Sequence, residues 1–362
     1  MSVITHIGTA LPDNKYKQVE LADFMSDLFQ YAEPQKKKLH TFYAKSGIET
    51  RYSVIPDYAS TIEDRVFFPK TRNLVPFPSL EHRMHFFNKT APELCIKAIE
   101  ACIKNGIDYK NITHLITVTC TGLSAPGLDV ELIQRLELNK NIHRTSVNFM
   151  GCYAAIHALK QADYICKSDP KAMVLIVCVE LCTLHFQKID DVDNITANLL
   201  FADGAAAAIV MSDTAKEHGL QMDDFYSHVA LKGKSDMAWQ LSSHGFLMTL
   251  SSYIPDLIQG GIKVFFEEAI EQLSINKKDI DHWAIHPGGR KVLEVVQEEL
   301  GIGPGQLDSS YKTLKDHGNM SSPTILFVLK DIMDNKAEKG DKTFCVAFGP
   351  GLTMESAILQ NV

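Results

Sequence analysis

Three short motifs, far apart in the chain, hold residue types from which one active site can be built. They are Gly151-Cys152 at a predicted strand-to-helix junction, His286-Pro287-Gly288-Gly289 at a predicted strand end, and Gly318-Asn319-Met320-Ser321-Ser322 ahead of a predicted helix. A thiolate can attack a thioester and hold its acyl group covalently. An imidazole N–H and a carboxamide NH2 can both donate to the oxygen of a forming enolate. Where loss of CO2 from a malonyl thioester makes the carbanion, no general base, metal or organic cofactor is required.

Each residue also has an ordinary reading. Any one of eight cysteines is most simply a small buried hydrophobe. Cys152 stands apart because a glycine lets the backbone approach closely before it, and a thiol at a helix start sees the positive end of the macrodipole, which favours thiolate. His286 alone could be a satisfied structural imidazole. It follows an apolar strand, however, at the C-terminal edge where α/β sites open. Asn319 alone would serve as a helix N-cap.

These residues must be positioned by an α/β scaffold, and the chain carries an internal echo of one. A strand at His114–Thr119 precedes a small-residue loop, then Cys152 and a helix at 154–167. A strand at His282–Ile285 precedes His286, then Asn319 and a helix at 324–335. The spacings Cys120 to Cys152 and His286 to Asn319 are 32 and 33 residues, and Phe-x-x-Gly recurs at 201–204 and 348–351. The pattern predicts a duplicated α/β unit with mixed sheets covered by helices. The boundary is expected near 220, with residues 1–220 carrying the cysteine and 221–362 the histidine and asparagine.

At 362 residues, with 45% hydrophobic and 22% charged residues, the composition is that of a globular protein. The net charge of −8 argues against nucleic acid or an anionic membrane as main partner. No stretch is long and apolar enough to cross a bilayer. The first residues do not read as a signal peptide. The cysteines show neither zinc-site pairing nor the density of a disulfide scaffold, so a reducing cytoplasm is expected and no metal. Lys36-Lys37-Lys38, followed by Lys45 and Arg51, reads as a solvated helix face or as a local patch for an anionic substrate.

Taken together, Asn148-Phe-Met-Gly-Cys152-Tyr-Ala-Ala, Leu200-Phe-Ala-Asp-Gly-Ala-Ala-Ala, His286-Pro-Gly-Gly, Gly318-Asn-Met-Ser-Ser and Phe348-Gly-Pro-Gly-Leu-Thr-Met-Glu355 resemble the type III polyketide synthases, the chalcone-synthase-like enzymes. The likeness runs from Gly8 to Glu355. It implies a thiolase-like fold with a layered αβαβα core, a homodimer, and repeated condensation of malonyl-CoA onto an acyl-CoA starter. By position, Cys152 would be the acylated nucleophile, with His286 and Asn319 the donor pair. Phe201 matches a gatekeeper, and Gly349-Pro350-Gly351 a loop shaping the cavity wall. Cys120, Thr121, His185, Met248 and Ser321 would line the cavity. Lys38 and Lys45 match cations for the CoA phosphates, and Thr41 stands where a third is usual.

The departures from the plant pattern are as telling. Met248 replaces an aromatic gatekeeper, Cys120 and His185 replace threonines, Ala125 replaces a methionine that reaches across the dimer, and the segment from Phe186 to Phe201 is two residues shorter. These changes suit a flexible chain better than an aromatic starter, or simply repack the cavity. Medium- or long-chain starters leading to alkylpyrones or alkylresorcinols are therefore expected. The competing readings are an initiating ketoacyl synthase of type III, a hydroxymethylglutaryl-CoA-synthase-like enzyme, for which no catalytic glutamate motif is evident, and a non-catalytic scaffold on a thiolase fold.

Overall fold

The computed structural model describes residues 1–103, 106–212, 218–234, 236–251 and 254–362. Its strands are β1 (Ser2–Ala10), β2 (Asn14–Lys17), β3 (Thr50–Ser53), β4 (His114–Thr119), β5 (His143–Asn148), β6 (Met173–Leu181), β7 (Asp203–Ser212), β8 (Leu220–Val229), β9 (Met237–Ser242), β10 (Gly245–Leu250), β11 (His282–Ile285), β12 (Lys342–Gly349) and β13 (Thr353–Asn361). Its helices are α1 (Gln18–Phe29), α2 (Glu33–Ala44), α3 (Leu80–Cys102), α4 (Leu128–Arg135), α5 (Ala154–Ser168), α6 (Val192–Leu200), α7 (Ile254–Gln272), α8 (Arg290–Glu299), α9 (Asp308–His317) and α10 (Thr324–Asn335).

Nine strands form one hydrogen-bonded order, β11-β12-β13-β8-β1-β7-β6-β4-β5. The duplication predicted from spacing is visible in its pairings. In the first half β4 runs parallel to β6, β6 antiparallel to β7 and β7 antiparallel to β1. In the second, β11 runs parallel to β12, β12 antiparallel to β13 and β13 antiparallel to β8. β1 and β8 join the halves, with Ile4 opposite Leu220. By this correspondence β4 matches β11, so Cys120 and His286 both follow equivalent strands. Cys152 and Asn319 both precede equivalent helices, α5 and α10.

The strands are apolar on both faces, which fixes the layering. Along β6, Val174, Ile176 and Cys178 face one core, while Leu175, Val177, Val179 and Leu181 face another. Along β12, Cys345 and Ala347 join the first core, and Phe344, Val346 and Phe348 a third. The shared core contains α5 and α10. Six consecutive residues of α10, Thr324 to Leu329, are buried, as expected of a helix with neighbours all round. α3 covers the outer face of the first half, and α7 and α8 that of the second. The result is helix, sheet, helix, sheet, helix. Among the described residues no helix is long and apolar enough to cross a membrane.

Candidate active site

Cys152, His286 and Asn319 meet in one cavity of about 290 Å³. Cys152 comes from the β5–α5 junction, where Gly151 adopts φ +82°. A Cβ on Gly151 would stand 2.3 Å from Pro350 Cδ, so only glycine lets the two loops touch. The first helical residue is Ala154, two beyond Cys152. The thiolate expected from the helix start is not what the site favours: burial pushes the Cys152 thiol up to about 11, outweighing the hydrogen bonds from Ser321 and Asn319 that lower it. The buried Glu180 adds to the rise.

Asn319 is not a helix cap, since the N-cap of α10 is Pro323. Its backbone is bracketed around Phe201: Asn319 N donates to Leu200 O, and Ala202 N donates to Asn319 O, both at 2.9 Å. Its Oδ1 accepts from Ser321 N at 2.8 Å, an Asx turn that presents Nδ2 as the donor. Nδ2 makes one long bond, 3.3 Å to Gly288 O. The Cys152 Sγ lies 4.0 Å from Asn319 Oδ1.

His286 is held through its backbone N–H, which donates to Val346 O at 2.8 Å. Its ring is buried, yet neither nitrogen has a partner among the described residues. Two unpaired polar atoms in the interior are costly, and a substrate oxygen would satisfy one. Burial lowers its pKa to about 3, so the ring is neutral at pH 7 and offers one N–H and one lone pair.

Other predicted positions divide. Cys120, Thr121, Phe201, Met248, Ser321 and Pro350 line the cavity, and exposed Lys45 stands at its rim. Gly349 and Gly351 do not line it; Phe348 and Pro350 do, and a Cβ on Gly349 would lie 2.5 Å from Tyr153 Cδ1. Lys38 is exposed on α2 and does not reach the cavity wall. Arg51 is no part of a surface patch: it is buried, its guanidinium donating to Gln18 Oε1 and Phe201 O. His185 lines a neighbouring cavity of about 50 Å³ instead. Its Nε2 donates to Thr121 O at 2.7 Å and its Nδ1 accepts from Phe246 N at 3.0 Å, so both nitrogens are committed to backbone.

Four residues escaped the sequence reading. Trp239 separates the two cavities, with Cys182, Phe201 and Met248, and its Nε1 donates to Cys120 O at 2.6 Å. Glu180 ends the apolar run of β6 and lies behind Cys120 and Thr121. It accepts from Ser322 Oγ, Cys120 N and Thr121 Oγ1, and burial raises its pKa to about 7. Arg290 and Lys291 stand at the cavity rim. The available signals were a charge closing a buried strand and two cations directly after His-Pro-Gly-Gly.

Two like-built α/β halves around a shared cysteine, histidine and asparagine define a thiolase-like fold of the condensing-enzyme class. The chain belongs to the chalcone and stilbene synthases: the N-terminal domain of that family matches residues 1–214 and its C-terminal domain residues 227–362. Its relatives place it among the type III polyketide synthases. It is 31% identical over 370 residues to probable polyketide synthase 1 of Dictyostelium discoideum, of whose length it spans 11%. It is 30% identical over 371 residues to the alpha-pyrone synthesis polyketide synthase-like Pks18 of Mycobacterium tuberculosis, spanning all of this chain and 92% of that one. The crystal structure of PKS-I from the brown alga Ectocarpus siliculosus superposes with TM-score 0.91 at 27% identity, covering 100% of this chain and 98% of that one. The C-terminal type III polyketide synthase domain of Steely1 from Dictyostelium superposes with TM-score 0.89 at 31% identity, covering 100% and 99%.

Proposed function

We propose that this chain performs repeated decarboxylative condensation of malonyl-CoA on an acyl-CoA starter carried by Cys152. The observation that supports it is His286, buried beside Cys152 and Asn319 with both nitrogens unpaired. Cys152 passes its proton to the imidazole as sulfur attacks the thioester carbonyl. The carbon–sulfur bond to CoA breaks, and the leaving thiolate takes that proton back. Malonyl-CoA then loses CO2, its bonding pair moving into an enolate whose oxygen is held by the His286 N–H and Asn319 Nδ2. The enolate carbon attacks the acyl carbonyl, a carbon–carbon bond forms as the carbon–sulfur bond to Cys152 breaks, and the freed Cys152 thiolate takes up the lengthened chain from its CoA thioester, releasing CoA, for the next round.

The starter class follows from the wall. Met237, Met248, Leu250, Ile254 and Ile258 give an aliphatic lining that suits a medium- or long-chain acyl group, leading to alkylpyrones or alkylresorcinols. The two halves, 1–220 and 221–362, act as one unit, because the site takes residues from both. Lys38 and Lys45 attract the CoA phosphates. β5 is an unpaired sheet edge, and a second copy of the chain placed there would give the homodimer. A cytoplasmic setting with free thiols and no cofactor fits this chemistry.

Mass spectrometry of products from malonyl-CoA and a panel of acyl-CoA starters tests the reading. Alkylated pyrones or resorcinols are expected from starters of medium length or longer, and Cys152→Ala should abolish them. Products from aromatic or very short starters alone would defeat the starter assignment. A single condensation per starter would favour an initiating ketoacyl synthase, and failure of any CoA thioester to acylate Cys152 would favour a binding scaffold.

A further inference from the structure

The cavity rim holds more positive charge than the α2 side of the mouth explains. Lys38, Thr41 and Lys45 fall at helical spacing along α2 and its C-cap, where they share one face. Thr41 adds no charge there, and its hydroxyl is used on Lys37 O at 2.8 Å. From the second half, Arg290 and Lys291 reach the same cavity with 54% and 66% of their side chains exposed.

Their position is electrostatically unfavourable in itself. They are the first two residues of α8, at the positive end of its dipole. The N-cap is Gly289, which has no side chain to offer, and the first turn contains no acidic residue. Among the described residues only Glu294, one turn further, pairs with them, at 2.8 Å from Arg290 and 3.9 Å from Lys291. Such exposed pairs are weak. The Arg290 stem packs on Gly47, where a Cβ would lie 3.3 Å from Arg290 Cβ and Cδ. The guanidinium is therefore carried over the segment that follows Lys45.

We infer that Arg290 and Lys291 bind the phosphates of the CoA thioester, supplying from the second half the cation that Thr41 lacks in the first. The inference rests on the proposed function, since the acyl end of that thioester goes to Cys152. A chain of net charge −8 repels a polyanion at long range, so capture depends on cations gathered at the mouth. The arginine fork matches two oxygens of a diphosphate, and the free N–H groups of the first turn of α8 lie beside it. On binding, phosphate replaces Glu294 as the partner of both cations. The substrate's phosphates are thus gripped between the two halves of the chain.

Calorimetric titration with CoA and with pantetheine, the same thiol arm without phosphates, tests this. For Arg290→Ala with Lys291→Ala, Kd for CoA should rise about tenfold, the scale of one charge-assisted hydrogen bond, with pantetheine unchanged. Glu294→Gln removes the competing carboxylate and should tighten CoA binding about two- to threefold, again without effect on pantetheine. Equal CoA affinity in wild type and the double variant overturns the inference, as does an equal loss for both ligands. CoA binding that responds as expected in a protein that condenses nothing would sink the proposed function and leave the clamp standing.

Discussion

Gly151 shows how a residue without chemistry sets the chemistry beside it. Its φ of +82° and the 2.3 Å approach to Pro350 mean that Gly151→Ala must strain the backbone and push the loops apart. The expected stability loss is about 1–3 kcal/mol. Because Cys152 is the next residue, condensation should fall by about a hundredfold, the effect of an ångström-scale misplacement. Thermal melts and steady-state assays on one preparation would check both, and near-normal activity would refute the role. Cys152, His286 and Asn319 were legible in the sequence because each ends or begins an element whose apolar pattern is unmistakable. The protonation state of Cys152 was not legible. It depends on how much protein covers the sulfur, a three-dimensional quantity that outweighed the helix end. His185 misled for a related reason: it ends a short 3-10 turn from Cys182 to His185, and the turn leaves Cys182 between the two cavities while His185 faces the smaller one alone.

At the scale of elements, the β9–β10 hairpin is expected to set how long a chain the cavity accepts. Met248 is paired with Trp239 and Leu250 with Met237 across the hairpin, and all four side chains line the cavity. Cross-strand neighbours on one face of a hairpin act as one wall. Trp239 is its largest component, braced edge-on against His185 and Phe246. Trp239→Ala is expected to join the main cavity to the small chamber behind it, and to shift products toward longer starters or additional malonyl units. Comparing product masses from one starter panel would show this, and an unchanged distribution would remove the hairpin from control of length. In the sequence only Met248 of this hairpin drew attention, as a cavity position. The hairpin's orientation against the cavity was not readable there, because that depends on packing with Cys120 and His185, which lie more than fifty residues away.

For the whole molecule, buried titratable groups of opposite kinds make stability a shaped function of pH. His185 and His286 have their pKa values lowered from 6.5 to about 3 by burial. Between those values the unfolded chain binds protons that the folded chain refuses, so stability falls as pH falls. Each contributes a loss of up to about 5 kcal/mol in the acid limit. Glu180, raised by burial from 4.5 to about 7, and Asp203, raised from 3.8 to about 6, behave in reverse. In those windows the folded chain keeps protons that the unfolded chain has lost, so stability falls as pH rises. From pH 4.5 to 6 the two pairs oppose each other, and the melting temperature should be nearly flat. Below pH 4.5 the carboxyls become protonated in both states, the histidines act alone, and the melting temperature should drop steeply. Glu180→Gln removes one of the opposing groups, so its melting temperature should climb steadily across the range where wild type is flat. Melting curves from pH 3 to 8 on both proteins would decide it, and parallel profiles would mean that Glu180 is already ionised beside the Cys152 cavity.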